Sequence, residues 1–140
     1  MENKTIYAQV LPLHLVHQTW EKVKPYIESA WTSHTDECTV DQALVYVAKG
    51  DWVVIVFADE KAEIHGAAMV NIYNATNARI AYCLSCGGKG ILTQETFNQY
   101  CAILKSMGAT KIRTAGQEPI VRLLRRFGYK ELYKTVEVSI

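Results

Sequence analysis

Three runs of strand-forming residues stand so close together that only one way of pairing is open to them. Trp52 to Ala58 is a continuous β-branched and aromatic run, and His65 to Tyr73 and Arg79 to Ser85 follow it after turns of a few residues. A parallel crossover needs about a dozen residues. Neither Asp59-Glu60-Lys61-Ala62 nor the stretch Asn74 to Ala78 offers that length, so the three runs must form an antiparallel meander. The first run has no polar alternation, which predicts a strand covered on both faces.

Helices and further strands surround this meander. Thr5 to Val10 reads as a short strand ending before Pro12. Val16, Trp20, Val23 and Ile27 then recur at helical spacing, with Trp31 beyond them. Pro25 interrupts that run and predicts either two short helices meeting near Lys24 or one kinked helix. The polar stretch Thr32 to Cys38 reads as a mobile loop. Thr39 is an N-cap for a helix carrying Val40, Leu44 and Val47 and closing at Gly50. Thr93 caps a longer helix, where Phe97, Tyr100, Cys101, Leu104 and Met107 form one apolar face and Gly108 supplies the stop. Thr110 to Thr114 is a short strand placed for a parallel crossover from the third run of the meander. Pro119 opens a helix with Ile120, Leu123, Leu124 and Phe127 inward and Arg122, Arg125 and Arg126 outward, and Gly128 closes it. Tyr129 to Ile140 alternates with period two and is expected to be the last strand. The expected fold class is α/β (α+β): one domain over residues 1–140, a mixed, mostly antiparallel twisted sheet flanked by helices.

Charge and cysteine usage narrow the functional classes. The 140 residues carry a net charge of +1, which argues against a nucleic-acid binder held by clustered cations. No segment approaches the roughly 20 apolar residues that cross a bilayer, and Met1-Glu2-Asn3-Lys4 lacks a signal-peptide pattern. A cytoplasmic protein is expected. Cys83 and Cys86 are the one close cysteine pair, and Cys38 and Cys101 stand too far away in sequence for zinc spacing. On a regular strand Cys83 and Cys86 face opposite sides, so neither a metal nor a bridge is expected there. His14 and His17 lie one helical turn apart without a visible third ligand.

The stretch from Ala81 to Thr93 carries the functional signal. An apolar strand runs into Gly87-Gly88-Lys89-Gly90 and then directly into a capped helix. Strand, glycine turn and helix N-terminus in that order gather backbone N–H groups and the positive end of a helix dipole, a natural seat for an anion. The spacing is neither Gly-x-Gly-x-x-Gly nor a Gly-Lys-Ser/Thr phosphate loop.

With the element order complete, the chain resembles the GNAT superfamily of acyl-CoA-dependent N-acyltransferases. The resemblance spans the whole chain and rests on that order, on the glycine turn, and on Arg122-Leu-Leu-Arg-Arg-Phe-Gly128-Tyr129, which is similar to the family's penultimate helix with its closing Gly-aromatic pair. It implies acetyl-CoA as cofactor, with Gly87, Gly88, Lys89, Gly90 and Ile91 around the pyrophosphate and the backbone near Leu84 or Ser85 toward the thioester. It also implies an amine acceptor, a base on the central strands, for which His65 and Glu63 are candidates, and an acid for the departing thiolate.

The family's acid is commonly a tyrosine four residues before the closing glycine, where this chain has Leu124. Tyr129, Tyr82 and Tyr133 are the candidates to replace it, with protonation of the thiolate by solvent as the alternative. The asparagine common after the preceding strand is absent too, with Ala115-Gly116-Gln117 in its place, and Leu84 and Ser85 stand where the pyrophosphate motif has a basic or amide residue. Trp20-x-x-Val23-x-Pro25-x-Ile27-Glu28-x-Ala30, Gly50-Asp51-Trp52, Gly87-Gly88, Gly108-Ala109 and Arg122-Leu123 are similar to GNAT-like proteins of tailed bacteriophages. That narrower resemblance implies a degenerate active site, location in the host cytoplasm or virion interior, and virion proteins or a second copy of the chain as partners. The non-catalytic alternative is a virion building block or host-factor binder, with Arg122, Arg125, Arg126 and Lys130 as an interaction face.

Overall fold

A computed structural model describes residues 4–31 and 38–140. The loop expected at Thr32 to Cys38 lies outside the described residues except for Cys38. Five strands form one sheet in sequence order: β1 (Tyr7–Val10), β2 (Trp52–Ala58), β3 (Ile64–Asn74), β4 (Arg79–Gly88) and β5 (Lys111–Thr114). The first four pair antiparallel and β5 lies parallel to β4, as the connection lengths require. Helices α1 (Val16–Ala30) and α2 (Val40–Ala48) cover one face, and α3 (Gln94–Ser106) covers the other. No described helix is long and apolar enough to cross a membrane.

The continuous apolar run of β2 serves both layers. Val54 and Val56 pack under α1 and α2 with Trp20, Val23, Ile27, Val40 and Val47, whereas Ile55 and Phe57 pack under α3 with Tyr100 and Leu104. Pro25 does not divide α1. It sits on the exposed side while Val16, Trp20, Val23 and Ile27 are buried opposite, so the backbone bond it forfeits is on the solvated side of one continuous helix. Thr39 and Gln42 form a reciprocal capping box at the start of α2.

Strand β4 departs from the expected pattern in two ways that shape the site. It continues through Gly88, so Gly87 and Gly88 belong to the ladder, opposite Ala67 and Gly66. It also carries a bulge, because Val70 pairs with Cys83 while Met69 pairs with Ser85, leaving Leu84 as the extra residue. The bulge resets the side-chain alternation. Leu84 packs on the α1 side, the Ser85 hydroxyl donates to the Ile27 carbonyl of α1 at 2.6 Å, and a Cβ on Gly87 would stand 2.1 Å from the Tyr26 carbonyl. Cys86 is thereby returned to the α3 side that Cys83 occupies. The expectation that these cysteines face opposite ways fails for this reason.

The C-terminal expectations fail as well. Helix α4 (Glu118–Arg125) forms, but none of its residues is buried, and Ile120 and Leu123 are exposed. Residues 129–140 form no strand, and from Lys130 onward every residue is exposed. Period-two alternation makes a strand only where a sheet edge receives it. Here the segment's root is held elsewhere: Tyr129 packs on Phe97 at 5.8 Å, and Arg125 pairs with Glu131 at 3.2 Å.

Candidate active site

The meander and the short β5 create an open edge in the middle of the sheet. β5 accompanies β4 only from Ile80 to Cys83. The last rung is closed by the Thr114 hydroxyl, which donates to the Cys83 carbonyl at 3.0 Å. Beyond it the chain turns away into α4, so Ser85 to Gly88 pair with β3 on one side and, among the described residues, have no strand on the other. Alternate residues of an antiparallel ladder aim their N–H and C=O groups at one neighbour. Half of the peptide groups in this segment therefore face the opening, and the bulge at Leu84 marks where it starts.

The opening runs down to the glycine turn. Gly88 (φ +141) is a packing residue, since a Cβ there would stand 2.5 Å from the His65 carbonyl and 2.7 Å from the Gly66 Cα. Gly90 (φ +67) is different, with nothing within 4 Å of its absent Cβ. Thr93 caps α3 by accepting from the Thr96 amide, and the Thr96 hydroxyl donates to the Ile91 carbonyl. The side-chain cap thus occupies one amide of the first turn. A cleft of about 270 Å³ lies beside this turn, lined by Lys4, Thr5, Ile6, Gly90, Thr93, Glu95 and Thr96.

His65 and Glu63 belong to this lower end of the site. The buried Asp59 carboxylate accepts from the Lys61 and Glu63 amides through Oδ1, at 2.9 and 3.1 Å, and its Oδ2 lies 2.8 Å from His65 Nε2. The His65 hydrogen bond is the main reason the Asp59 carboxyl is lowered from 3.8 to about 2, with the two amides adding to it. Lys4 Nζ stands 3.3 Å from Glu63 Oε2 and 3.7 Å from Asp59 Oδ2. Asp59, Glu63 and His65 are close enough to share a metal ion, but an ammonium already lies against both carboxylates. His65 adjoins Gly66, which pairs with Gly88. At about 3.3 Å per residue the bulge at Leu84 is roughly 13 Å further along the strand. Asp59 was not anticipated as the partner of His65. The only available signal was an aspartate at the head of a tight turn, which commonly bonds its own following amides.

Tyr129 is the predicted site residue that lies beside the thiols of β4 and α3. It follows the closing Gly128 and packs against Phe97 of α3. Burial raises its hydroxyl above the ordinary 10, and the neighbouring Cys83, Cys101 and Cys86 raise it further. Desolvation also pushes the Cys83 thiol up to about 11 and, although Cys86 as a residue is exposed, the Cys86 thiol up to about 12. At neutral pH these groups keep their protons. The result is an uncharged O–H donor among thiols of the β4 segment that borders the opening. Leu124, on α4, is half-buried and has no proton to give.

No protein-family model and no curated protein matches the chain. Solved structures do. Glucosamine-6-phosphate N-acetyltransferase from Arabidopsis thaliana is similar at 16% identity, with 98% of each chain covered and a TM-score of 0.62. An aminoglycoside acetyltransferase from an uncultured soil metagenomic sample, in complex with trehalose, gives 8% identity, 96% of each chain and a TM-score of 0.69. AAC(6')-Iy, in complex with the bisubstrate analogue CoA-S-monomethyl-acetylneamine, gives 9% identity over 97% of this chain and 98% of that one, with a TM-score of 0.66. The likeness spans nearly all of both chains in each case and establishes a GNAT-like fold.

Proposed function

We infer that this chain is an acyl-CoA-dependent N-acyltransferase of the GNAT superfamily, with acetyl-CoA laid along the open edge of β4. The observation that carries the reading is the parting of β4 from β5 beyond Cys83, with the bulge at Leu84 at its head and the open Gly90 turn at its foot. An extended amide-containing arm is complementary to unpaired strand peptide groups, and a pyrophosphate is complementary to amides at a helix N-terminus. In this reading the backbone of Leu84 and Ser85 polarises the thioester. Gly87, Gly88, Lys89, Gly90 and Ile91 carry the phosphate end.

The amine nitrogen attacks the thioester carbon, the C–N bond forms and the C–S bond breaks. The thiolate takes the Tyr129 proton, and the tyrosinate recovers one from the new ammonium through solvent. General acid help of this kind is worth about a hundredfold or more. His65 and Glu63 lie at the phosphate end, so this reading gives them no part in deprotonating the amine; His65 and Lys4 flank the anion instead.

A phage origin is part of the proposal and rests on the sequence pattern around Trp20, Pro25 and Gly50. The second reading, a non-catalytic virion or host-binding protein on this fold, draws on Leu124 and the exposed C-terminal residues. Calorimetry with acetyl-CoA separates the two. Micromolar to submillimolar binding that Gly90→Ala weakens supports the transferase, and absence of binding at millimolar ligand supports the alternative.

A further inference from the structure

One row of residues crosses the α1 side of the sheet just before β4 and β5 part. Trp52 pairs with Asn71, Asn71 with Tyr82, and Tyr82 with Arg113. The four share a face: Trp52 packs into the α1-side cluster, whereas Ile72, Ala81 and Ile112, next to the other three in sequence, pack on the α3 side. All four are half-buried. Further along β3, toward the glycine turn, Met69 and Ala67 are sealed under α1, so the polar part of this face is the end beyond them.

Arg113 has no partner in this row. Its Nε is buried without a hydrogen bond, and none of the ion pairs among the described residues includes it. The next row, Tyr73, Ile80 and Lys111, adds a second cation on the same face. Among the described strand residues these two rows hold Arg113 and Lys111 and no carboxylate. A guanidinium withdrawn from water is costly unless an anion meets it, and its planar fork fits a carboxylate with two parallel hydrogen bonds.

We propose that this row seats the acyl acceptor, and that the acceptor is an amine carrying a carboxylate, which Arg113 binds. The inference rests on the transferase reading above and names its substrate class. Tyr82 lies two residues before Leu84, roughly 7 Å along β4, and β5 runs about 4.8 Å to the side. A carboxylate at Arg113 and an amine at a thioester near Leu84 are then about 7–8 Å apart. The α-amine of an amino acid is too close to its own carboxylate to reach both. An ω-amine separated from its carboxylate by about five methylenes spans the distance. Its nitrogen attacks the thioester carbon, C–N forms as C–S breaks, and the proton that nitrogen sheds replaces the one Tyr129 gives the thiolate. A diamine of the same length is repelled by the same guanidinium.

The test compares ε-aminocaproate, n-hexylamine and cadaverine as acceptors for the intact protein with acetyl-CoA. The kcat/KM for ε-aminocaproate is expected to exceed that for n-hexylamine about tenfold or more, with cadaverine poorest. Arg113→Met should bring the first two together by raising KM for ε-aminocaproate, and Arg113→Glu should turn the preference toward cadaverine. Calorimetry with the product, ε-acetamidocaproate, reads the same contact without turnover, and Arg113→Met should weaken that binding about tenfold. The comparison of acceptors on the unmodified chain stands even where a variant fails to fold. Equal rates for the three amines, a product that does not bind, or a product affinity indifferent to Arg113→Met overturns this inference, while acetyl-CoA binding keeps the transferase reading. Absence of acetyl-CoA binding at millimolar ligand overturns both.

Discussion

Replacing Gly88 by alanine should damage the fold, whereas the same change at Gly90 should damage ligand binding and leave the fold nearly intact. At Gly88 the new methyl meets backbone, the His65 carbonyl at 2.5 Å and the Gly66 Cα at 2.7 Å, and the residue holds φ at +141. Strain in that glycine region costs about 1–3 kcal/mol, and forcing a methyl into a closed contact costs about 1–3 kcal/mol more. The sum is a large share of the roughly 5–15 kcal/mol that stabilises a domain. For a chain of this length the melting temperature should fall by roughly 10–15 °C.

Gly90→Ala meets no atom within 4 Å and holds φ at +67, so its cost is the left-handed conformation alone, about 1–2 kcal/mol. Its methyl stands in the open turn, where it should weaken acetyl-CoA binding about tenfold, the worth of one hydrogen bond to a charged group. Thermal unfolding by circular dichroism and calorimetry on the folded variants read the two effects. A Gly88→Ala protein with the parent's melting temperature, or a Gly90→Ala protein less stable than Gly88→Ala, would show that the two glycines do not play these separate parts.

Three further outcomes follow from the site. Tyr129→Phe should lower the rate of acetyl transfer about a hundredfold while leaving acetyl-CoA affinity unchanged, and steady-state kinetics beside calorimetry would expose a purely structural role as a loss of both. The Asp59 carboxyl is lowered from 3.8 to about 2, so the stability it contributes is complete above pH 4 and lost as pH falls toward 2. Asp59→Asn should flatten that limb of the stability profile; an identical limb in both proteins would contradict the dyad. Cys86, held at about 12 against an ordinary 9.0, should have about a thousandfold less thiolate than a free cysteine at pH 8. Its alkylation, followed by mass spectrometry, should be correspondingly slow despite its exposure; labelling at the rate of a free thiol would contradict its surroundings.

The parts of this fold that sequence predicts are those governed by local length and periodicity. Short turns forced the antiparallel meander, the helix from Thr93 supplied the parallel crossover, and the unbroken run of β2 anticipated its two covered faces. What escaped prediction depends on register and on partners. The bulge at Leu84 cannot be read from alternation, because the extra residue shows only against β3. It alters the side on which Cys86 and Gly87 fall. The tail has the pattern of a strand, yet pattern says nothing about whether an edge of the same chain is within reach. At the site, the glycine turn was visible as composition, but sequence could not tell that Gly88 is needed for packing and Gly90 is open. Nor could it tell that His65 is bound to Asp59 and that Tyr129 packs on Phe97.

In the proposed function, the open edge of β4 and the Gly90 turn receive an acyl-CoA. Titrating the isotopically labelled protein with acetyl-CoA while following backbone amide resonances tests it most directly. Saturable shifts are expected at Leu84 to Ile91 and at the first turn of α3, with Tyr129 moving and the outer strand β1 largely silent. Shifts gathered on another surface, or unchanged spectra at millimolar acetyl-CoA, would contradict it.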